Sequence, residues 1–210
     1  MEFVAGCWVP WRRFTVRENA GIAEGVHQAM NTFIVLLRGV MPSGKNKVPM
    51  VRLREVLKEA GFGNVRTYVQ SGNVVVDSGL SAQEIGKCVQ ELIKKHIGPD
   101  LVVVVRTGPE LQTVLDENPF QQRYDISRVF FVMLAQIPAP EKVQELSAQD
   151  FGDEKLAFTR TRDAAFMYIP GPYGRGRLSN NFLEKKLGVP ATMRNFNTIS
   201  RLVAMSSPEI

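Results

Sequence analysis

The sequence predicts an α+β chain built as two tandem βαββαβ sandwiches with antiparallel sheets. Three observations lead there. Apolar runs of strand length, the longest at residues 33–37 and 101–105, alternate with segments of helical period. A short polar turn between two strand-like runs reads as a hairpin. The same order of elements then recurs after residue 128, as a repeat of order without self-similarity in the residues. Four antiparallel strands with two helices on one face form the split βαβ, or ferredoxin-like, arrangement.

Taken in order, "TFIVLLRGV" (Thr32 to Val40) is a buried strand by its apolar run. "PMVRLREVLKEAG" carries Met50, Leu53, Val56 and Leu57 at helical spacing, with Pro49 at its first position and Gly61 past its end. "VRTYVQ" and "NVVVD" flank Ser71 and Gly72, the hairpin signal. "SAQEIGKCVQELIKKHI" opens with Ser81 and Glu84, a capping box, and its apolar face is Ile85, Cys88, Val89, Leu92, Ile93 and Ile97. "LVVVVRT" (Leu101 to Thr107) closes the first unit. A helix begins near Gly108–Pro109, followed by the strand "RVFFVMLA", a helix after "PAPEK", and the strands "EKLAFTR" and "AAFMYIP" joined around Thr161 to Asp163. Two C-terminal helices complete the chain, the first capped by Gly188. The last runs from Met193 to Met205, with Met193, Phe196, Ile199, Leu202 and Val203 on one side and Arg194, Asn197, Thr198 and Arg201 on the other. The expected divisions are an extension over 1–29, disordered or an over-extended start, a first domain over 30–107, a connecting segment over 108–127, and a second domain over 128–210 with the C-terminal helices.

The chain has 210 residues, 44% hydrophobic and 22% charged, enough to bury a real core. No run reaches the roughly 18 consecutive apolar residues of a membrane span. Cys7 and Cys88 lie in unrelated contexts without metal-ligand spacing, which fits a reducing, cytoplasmic setting with Cys88 as a small buried hydrophobe. "RRF" (Arg12 to Phe14) has no apolar segment after it, so it is not read as an export signal. Beyond residue 29 the chain carries 23 basic and 18 acidic residues, keeping the net charge of +5 on the folded part. That balance favours an anionic partner.

Polar motifs stand in three places. Gly39-x4-Gly44-Lys45 matches the start of a nucleotide phosphate loop, but Asn46 occupies the magnesium-binding position and Pro49 starts the helix too late for Lys45 to lie inside it. What remains is a glycine-containing loop with Arg38, Lys45 and Lys47 feeding a helix N-terminus, whose amides favour anions. Gln70, Ser71 and Asn73 form the hairpin turn. The C-terminal segment presents Arg175 and Arg177, then Arg194, Asn197, Thr198 and Arg201, donors suited to phosphate or carboxylate. Neither His27 nor His96 falls in these segments, so histidine-based acid–base or metal chemistry has no support. No cofactor or metal is implied.

"FIVLLRG", "GKNKVPMVRLREVLKEAGFGNVRTYVQSGNVV", "NPF" and "LEKKLGVPATMRNFNT" together resemble a mainly bacterial family, domain of unknown function 1697. The resemblance covers about residues 30–204 and implies two ferredoxin-like repeats. It brings no catalytic residues with it. Its polar motif positions match Arg38, Gly39, Gly44, Lys45, Asn46, Lys47, Gln70, Ser71, Gly72, Asn73, Arg194, Asn195, Asn197 and Thr198. Met41 and Ser43 stand where members often carry asparagine and glycine, Phe196 where tryptophan is common, and Gly176 where serine is.

The expected function is binding of a small phosphate-bearing or other anionic ligand where the first loop, the hairpin and the final helix converge, at Arg38, Gly44, Lys45, Asn46, Lys47, Gln70, Ser71, Asn73, Arg194, Asn195, Asn197 and Thr198. One alternative is an acylphosphatase-like hydrolase using Arg38, Lys45 and Asn73, by fold analogy. Another is a homodimer formed through a sheet edge or the final helix, without ligand. A nucleic-acid platform is disfavoured, because Phe33 is the one aromatic residue on the two central strands of the first sheet and Tyr68 lies on another.

Overall fold

The computed structural model describes residues 30–207, so the expectation for 1–29 lies outside it. The first half runs β1 (Asn31–Leu37), α1 (Met50–Glu59), β2 (Gly63–Tyr68), β3 (Asn73–Ser78), α2 (Ala82–His96), β4 (Val103–Thr107) and α3 (Gly108–Asp116). After a 3-10 turn at Ile126–Arg128 the second half runs β5 (Val129–Leu134), α4 (Pro140–Ser147), β6 (Lys155–Phe158), β7 (Ala164–Tyr168), α5 (Asn180–Leu187), β8 (Ala191–Asn195) and α6 (Phe196–Ser206). Strand order is β2-β3-β1-β4 in one sheet and β6-β7-β5-β8 in the other, and every neighbouring pair is antiparallel.

Local signals account for most boundaries. Ser81 and Glu84 form both bonds of a capping box at α2, and Thr107 with Glu110 does the same at α3. Ser179 caps α5, and Gly188 ends that helix in the left-handed conformation at φ 73°.

The C-terminal region departs from expectation. Residues 191–195 form a strand, and only Phe196–Ser206 are helical. The expected stripe therefore splits. Met193 packs with the layer containing α4 and α5, whereas Phe196, Ile199, Leu202 and Val203 pack on the opposite side of the second sheet. Arg194 belongs to β8, not to the final helix. "ATMRN" is short, has no apolar run, and flows straight into a helix capped by Asn195, so helical spacing extended backwards through it absorbed the strand.

Three cores result. Helices α1 and α2 cover one face of the first sheet, meeting Phe33, Val35 and Leu37. The alternate residues Ile34 and Leu36 face an inner core shared with Phe131, Met133 and Phe166 of the second sheet, into which α3 and α6 pack. A third core holds α4 and α5 against Val132 and Leu134. Burial on both faces explains why β1 reads as a continuous apolar run instead of alternating.

Candidate functional site

The two halves correspond residue by residue where they meet. In β1 and β5 the last residues are Leu37 and Leu134, and Ile34 pairs with Arg106 as Phe131 pairs with Arg194. Leu37 N–H donates to Gly72 C=O (2.8 Å), and Leu134 N–H to Asp163 C=O (3.0 Å). Each of these strand ends is clasped by the arginine of the other half. Arg194 Nη2 donates to the carbonyls of Leu37 (2.9 Å), Ser71 (3.1 Å) and Gly72 (3.2 Å). Arg106 Nη2 donates to those of Leu134 (2.7 Å) and Asp163 (3.4 Å).

Arg194 is 9% exposed, and all five of its N–H groups are taken up. Nε donates to Asn73 Oδ1 (2.5 Å), and Nη1 to Thr192 Oγ1 and Met193 C=O (both 2.8 Å). Burial pushes its pKa down to about 10, so it stays protonated at neutral pH. Asn73 is fully buried and also donates through Nδ2 to Tyr68 C=O and Ser71 Oγ (both 3.0 Å). In the other half Ala164 occupies the place of Asn73, and Arg106 Nε is buried without a hydrogen bond, 3.9 Å from Asp163 Oδ2.

Arg38 extends the β1–β4 ladder, its N–H donating to Val102 C=O (3.0 Å). Its guanidinium grips Glu184 of α5 with both Nε (2.6 Å) and Nη2, and Nη2 also reaches Asn181 Oδ1 (3.1 Å). The hydrogen bonds to Glu184 raise the Arg38 pKa. Burial opposes ionisation of Glu184, but the bonds from Arg38 and from the Ala191 amide, with the charge of Arg38, hold its carboxyl below the usual range.

Past Arg38 the chain makes a compact excursion. Gly39 and Gly44 adopt φ of 70° and 81°. Met41 N–H donates to Asn46 C=O (3.1 Å), Lys47 N–H to Gly44 C=O (3.2 Å), and buried Val48 anchors the return to the first core. Lys45 and Lys47 are exposed, and among the described residues neither side chain has a hydrogen-bond or ion-pair partner. With Arg52 and His96 they line a groove of about 430 Å³, floored by Pro49 and residues 97–99. Arg52 also pairs with Glu55 at 3.2 Å and lies 3.8 Å from Glu59.

The start of α1 opens beside this groove. Pro49 is its N-cap, no side chain caps it, and its first turn carries no acidic residue. By contrast, α2, α3, α5 and α6 are capped by Ser81, Thr107, Ser179 and Asn195, and α4, which also lacks a side-chain cap, carries Glu141 in its first turn. The first amides of α1 are thus left to solvent or a ligand.

His96 and Arg52 escaped the sequence reading, which placed no histidine in a candidate site. The available signal was topological: β1 and β3 are antiparallel neighbours, so α2 ends beside the start of α1. Of the sequence-named residues, Lys45, Gly44 and Lys47 line this groove, and Asn46 turns toward Arg38 and Glu184 in a second groove. Gln70 is exposed and donates to Val48 C=O (3.4 Å). Ser71, Asn73, Arg38 and Arg194 make the joints just described. Asn195 caps α6 by accepting from Thr198 N–H (2.9 Å), and Asn197 is exposed on that helix. Among the described residues no group of His, Cys, Asp and Glu could hold a metal ion, and no helix is long and apolar enough to cross a membrane.

The model of the protein family of unknown function DUF1697 matches residues 30–162. The chain belongs to the DUF1697 family. That match covers both the loop with Lys45 and Lys47 and the hairpin at Asn73. The structure of a conserved bacterial protein from Streptococcus pneumoniae is similar in fold, with 22% identity and a TM-score of 0.68, covering 85% of this chain and 100% of that one. No curated protein matches this DUF1697 chain.

Proposed function

We propose that the groove between the Gly44–Lys47 loop, the start of α1 and the end of α2 binds a small phosphate-bearing or other anionic ligand. The observation that carries this is the loop itself. Twelve residues separate β1 from α1, whereas five separate β5 from α4 at the corresponding place. The shorter connection suffices for the fold, so the added length is available for another role, and it delivers two unpaired lysines to an uncapped helix terminus. Lys45 and Lys47 supply charge, Arg52 a planar fork, and the α1 amides directed donors. Within this reading Arg38, Asn73 and Arg194 hold the platform, and Asn195 and Thr198 secure the helix behind it.

The acylphosphatase-like alternative needs Arg38 and Asn73 facing a phosphate beside Lys45. Arg38 is turned onto Glu184 and Asn73 is enclosed by Arg194, which favours binding over hydrolysis. A base-stacking platform is equally poorly served: Phe33 points to the α1–α2 core and the other face of β1 and β3 lies in the inner core. We further propose that each half is a ferredoxin-like unit. The βαββαβ order and the repeated strand order support that description.

Isothermal titration of the full chain with inorganic phosphate, nucleotides and sugar phosphates tests the proposal. Saturable binding that weakens by about tenfold, or about 1.4 kcal/mol, in Lys45→Ala and again in Lys47→Ala is expected. Absence of heat across the panel, or binding unaltered in both variants, would contradict it.

A further inference from the structure

The two halves differ in how they treat their equivalent edge strands, β4 and β8. Bonding of Arg38 N–H to Val102 C=O, and of Ala135 N–H to Pro190 C=O, sets the register, so Val103 and Val105 of β4 turn their backbone groups outward, as Ala191 and Met193 of β8 do. On β8 the outward groups of Ala191, the counterpart of Val103, are covered by α5. Ala191 N–H donates to Glu184 Oε1 (2.8 Å), and Ala191 C=O accepts from Asn180 Nδ2 (3.0 Å). Counting from the capping serines, Asn180 corresponds to Ala82 of α2 and Glu184 to Gly86. Arg38, which anchors Glu184, corresponds to Ala135.

Three small residues therefore stand where three covering side chains stand in the other half. The result is a groove of about 430 Å³ along β4, bordered by α2 and by Ala135. Val105 C=O is taken by Arg106 Nη1 (2.9 Å). Among the described residues nothing bonds the Val103 N–H, the Val103 C=O or the Val105 N–H. Proteins normally blunt such an edge, as β8 is blunted here.

We propose that this edge accepts an extended, acidic peptide segment of a partner protein as an added strand. Main-chain bonds to Val103 and Val105 would hold it, with side chains seated between β4 and α2. The chemistry of the segment follows from the lining: Lys87 and Arg106 are its charged residues and no carboxylate lines it. Arg106 is already committed to the carbonyls of Val105, Leu134 and Asp163 and to the Asp163 carboxylate, so Lys87 is the cation left to meet the segment. A second copy fits less well, because its own β4 edge brings the same basic lining without a carboxylate. The final helix offers no competing surface, since Ile199 and Leu202 are fully buried in the inner core.

Selection of a random peptide library against the full chain, followed by anisotropy measurements on the enriched peptides, tests this. Gly86→Glu imitates the covered half. Added at Gly86, a Cβ would meet Val105 Cγ2 at 3.7 Å and Val103 O at 3.8 Å, ordinary contacts, so the variant is expected to fold. Val103→Pro removes an outward N–H without touching the ladder to β1. The proposal expects enriched peptides with alternating acidic and β-branched residues, binding weakened by about tenfold in each variant, and hydrogen-exchange protection gained at Val103 and Val105. It is overturned by a library that yields no enriched sequence, by peptides that bind Gly86→Glu unchanged, or by protection elsewhere. It is equally overturned by light scattering that shows a dimer lost in Gly86→Glu, which would give the edge to a second copy.

Discussion

At the scale of single residues, the polar groups that the sequence marks as ligand-binding divide into joints and donors left open. Arg194 is the main joint. Replacing it with methionine strands the carbonyls of Leu37, Ser71 and Gly72 and the amide oxygen of Asn73, so we expect a loss of about 3 kcal/mol in urea unfolding. Arg106→Met should cost less, because Arg106 Nε has no hydrogen-bond partner to lose. Gly72 is a second sensitive point. It sits at φ 78°, and a Cβ there would come within 2.7 Å of both Leu37 Cβ and Val40 Cγ2. Gly72→Ala should therefore destabilise by at least about 1 kcal/mol, read in the same unfolding curves. Arg194 and Asn73 stood out in the sequence as motif positions, Asn73 in the hairpin turn and Arg194 on the polar side of the expected final helix. Their partners were not, because they meet across 121 positions and the bond depends on packing between the halves.

At the scale of elements, legibility followed length and periodicity. The long apolar runs and the helices with N-cap residues were readable because their signals are local: Ser81 with Glu84, Gly188, Pro49. β8 was not, since five residues leading directly into an amphipathic helix share its spacing. The loop between β1 and α1 was legible as a loop, yet its excess over the β5–α4 connection emerges only when the halves are matched in space. The uncapped start of α1 yields a prediction with two opposite signs. Pro49 has the extended backbone of an N-cap, with φ −66° and ψ 117°. An aspartate there should cap the helix and add about 1 kcal/mol of stability while repelling an anion from the same amides. Denaturant midpoint up and phosphate affinity down is the expected pair of results. A lower midpoint with affinity unchanged would contradict the assignment of those amides.

At the scale of the whole molecule, two sheets share one inner core and are tied at both ends by charged groups. Glu184, whose carboxyl is held low by Arg38, is one tie. Asp163 is the other: burial opposes its ionisation, but Thr161, Thr159 and the charge of Arg106 outweigh this and lower its pKa. A carboxyl lowered in the folded state contributes stability that is present above its unfolded pKa and lost as pH falls through the folded one. Unfolding midpoints should therefore drop below about pH 4, the ordinary carboxylate range, and Glu184→Gln should flatten that slope while lowering stability at neutral pH.

The clasped architecture presents a basic groove at an open helix terminus, proposed here as the anion site. Backbone NMR with stepwise addition of inorganic phosphate to the full chain tests it most directly. Saturable shifts are expected at the amides of Gly44 to Lys47, of Met50 to Arg52 and of His96, all lost in the Lys45→Ala, Lys47→Ala double variant. Shifts scattered over the surface, or centred on β8 and α6 and unchanged in that variant, would contradict it.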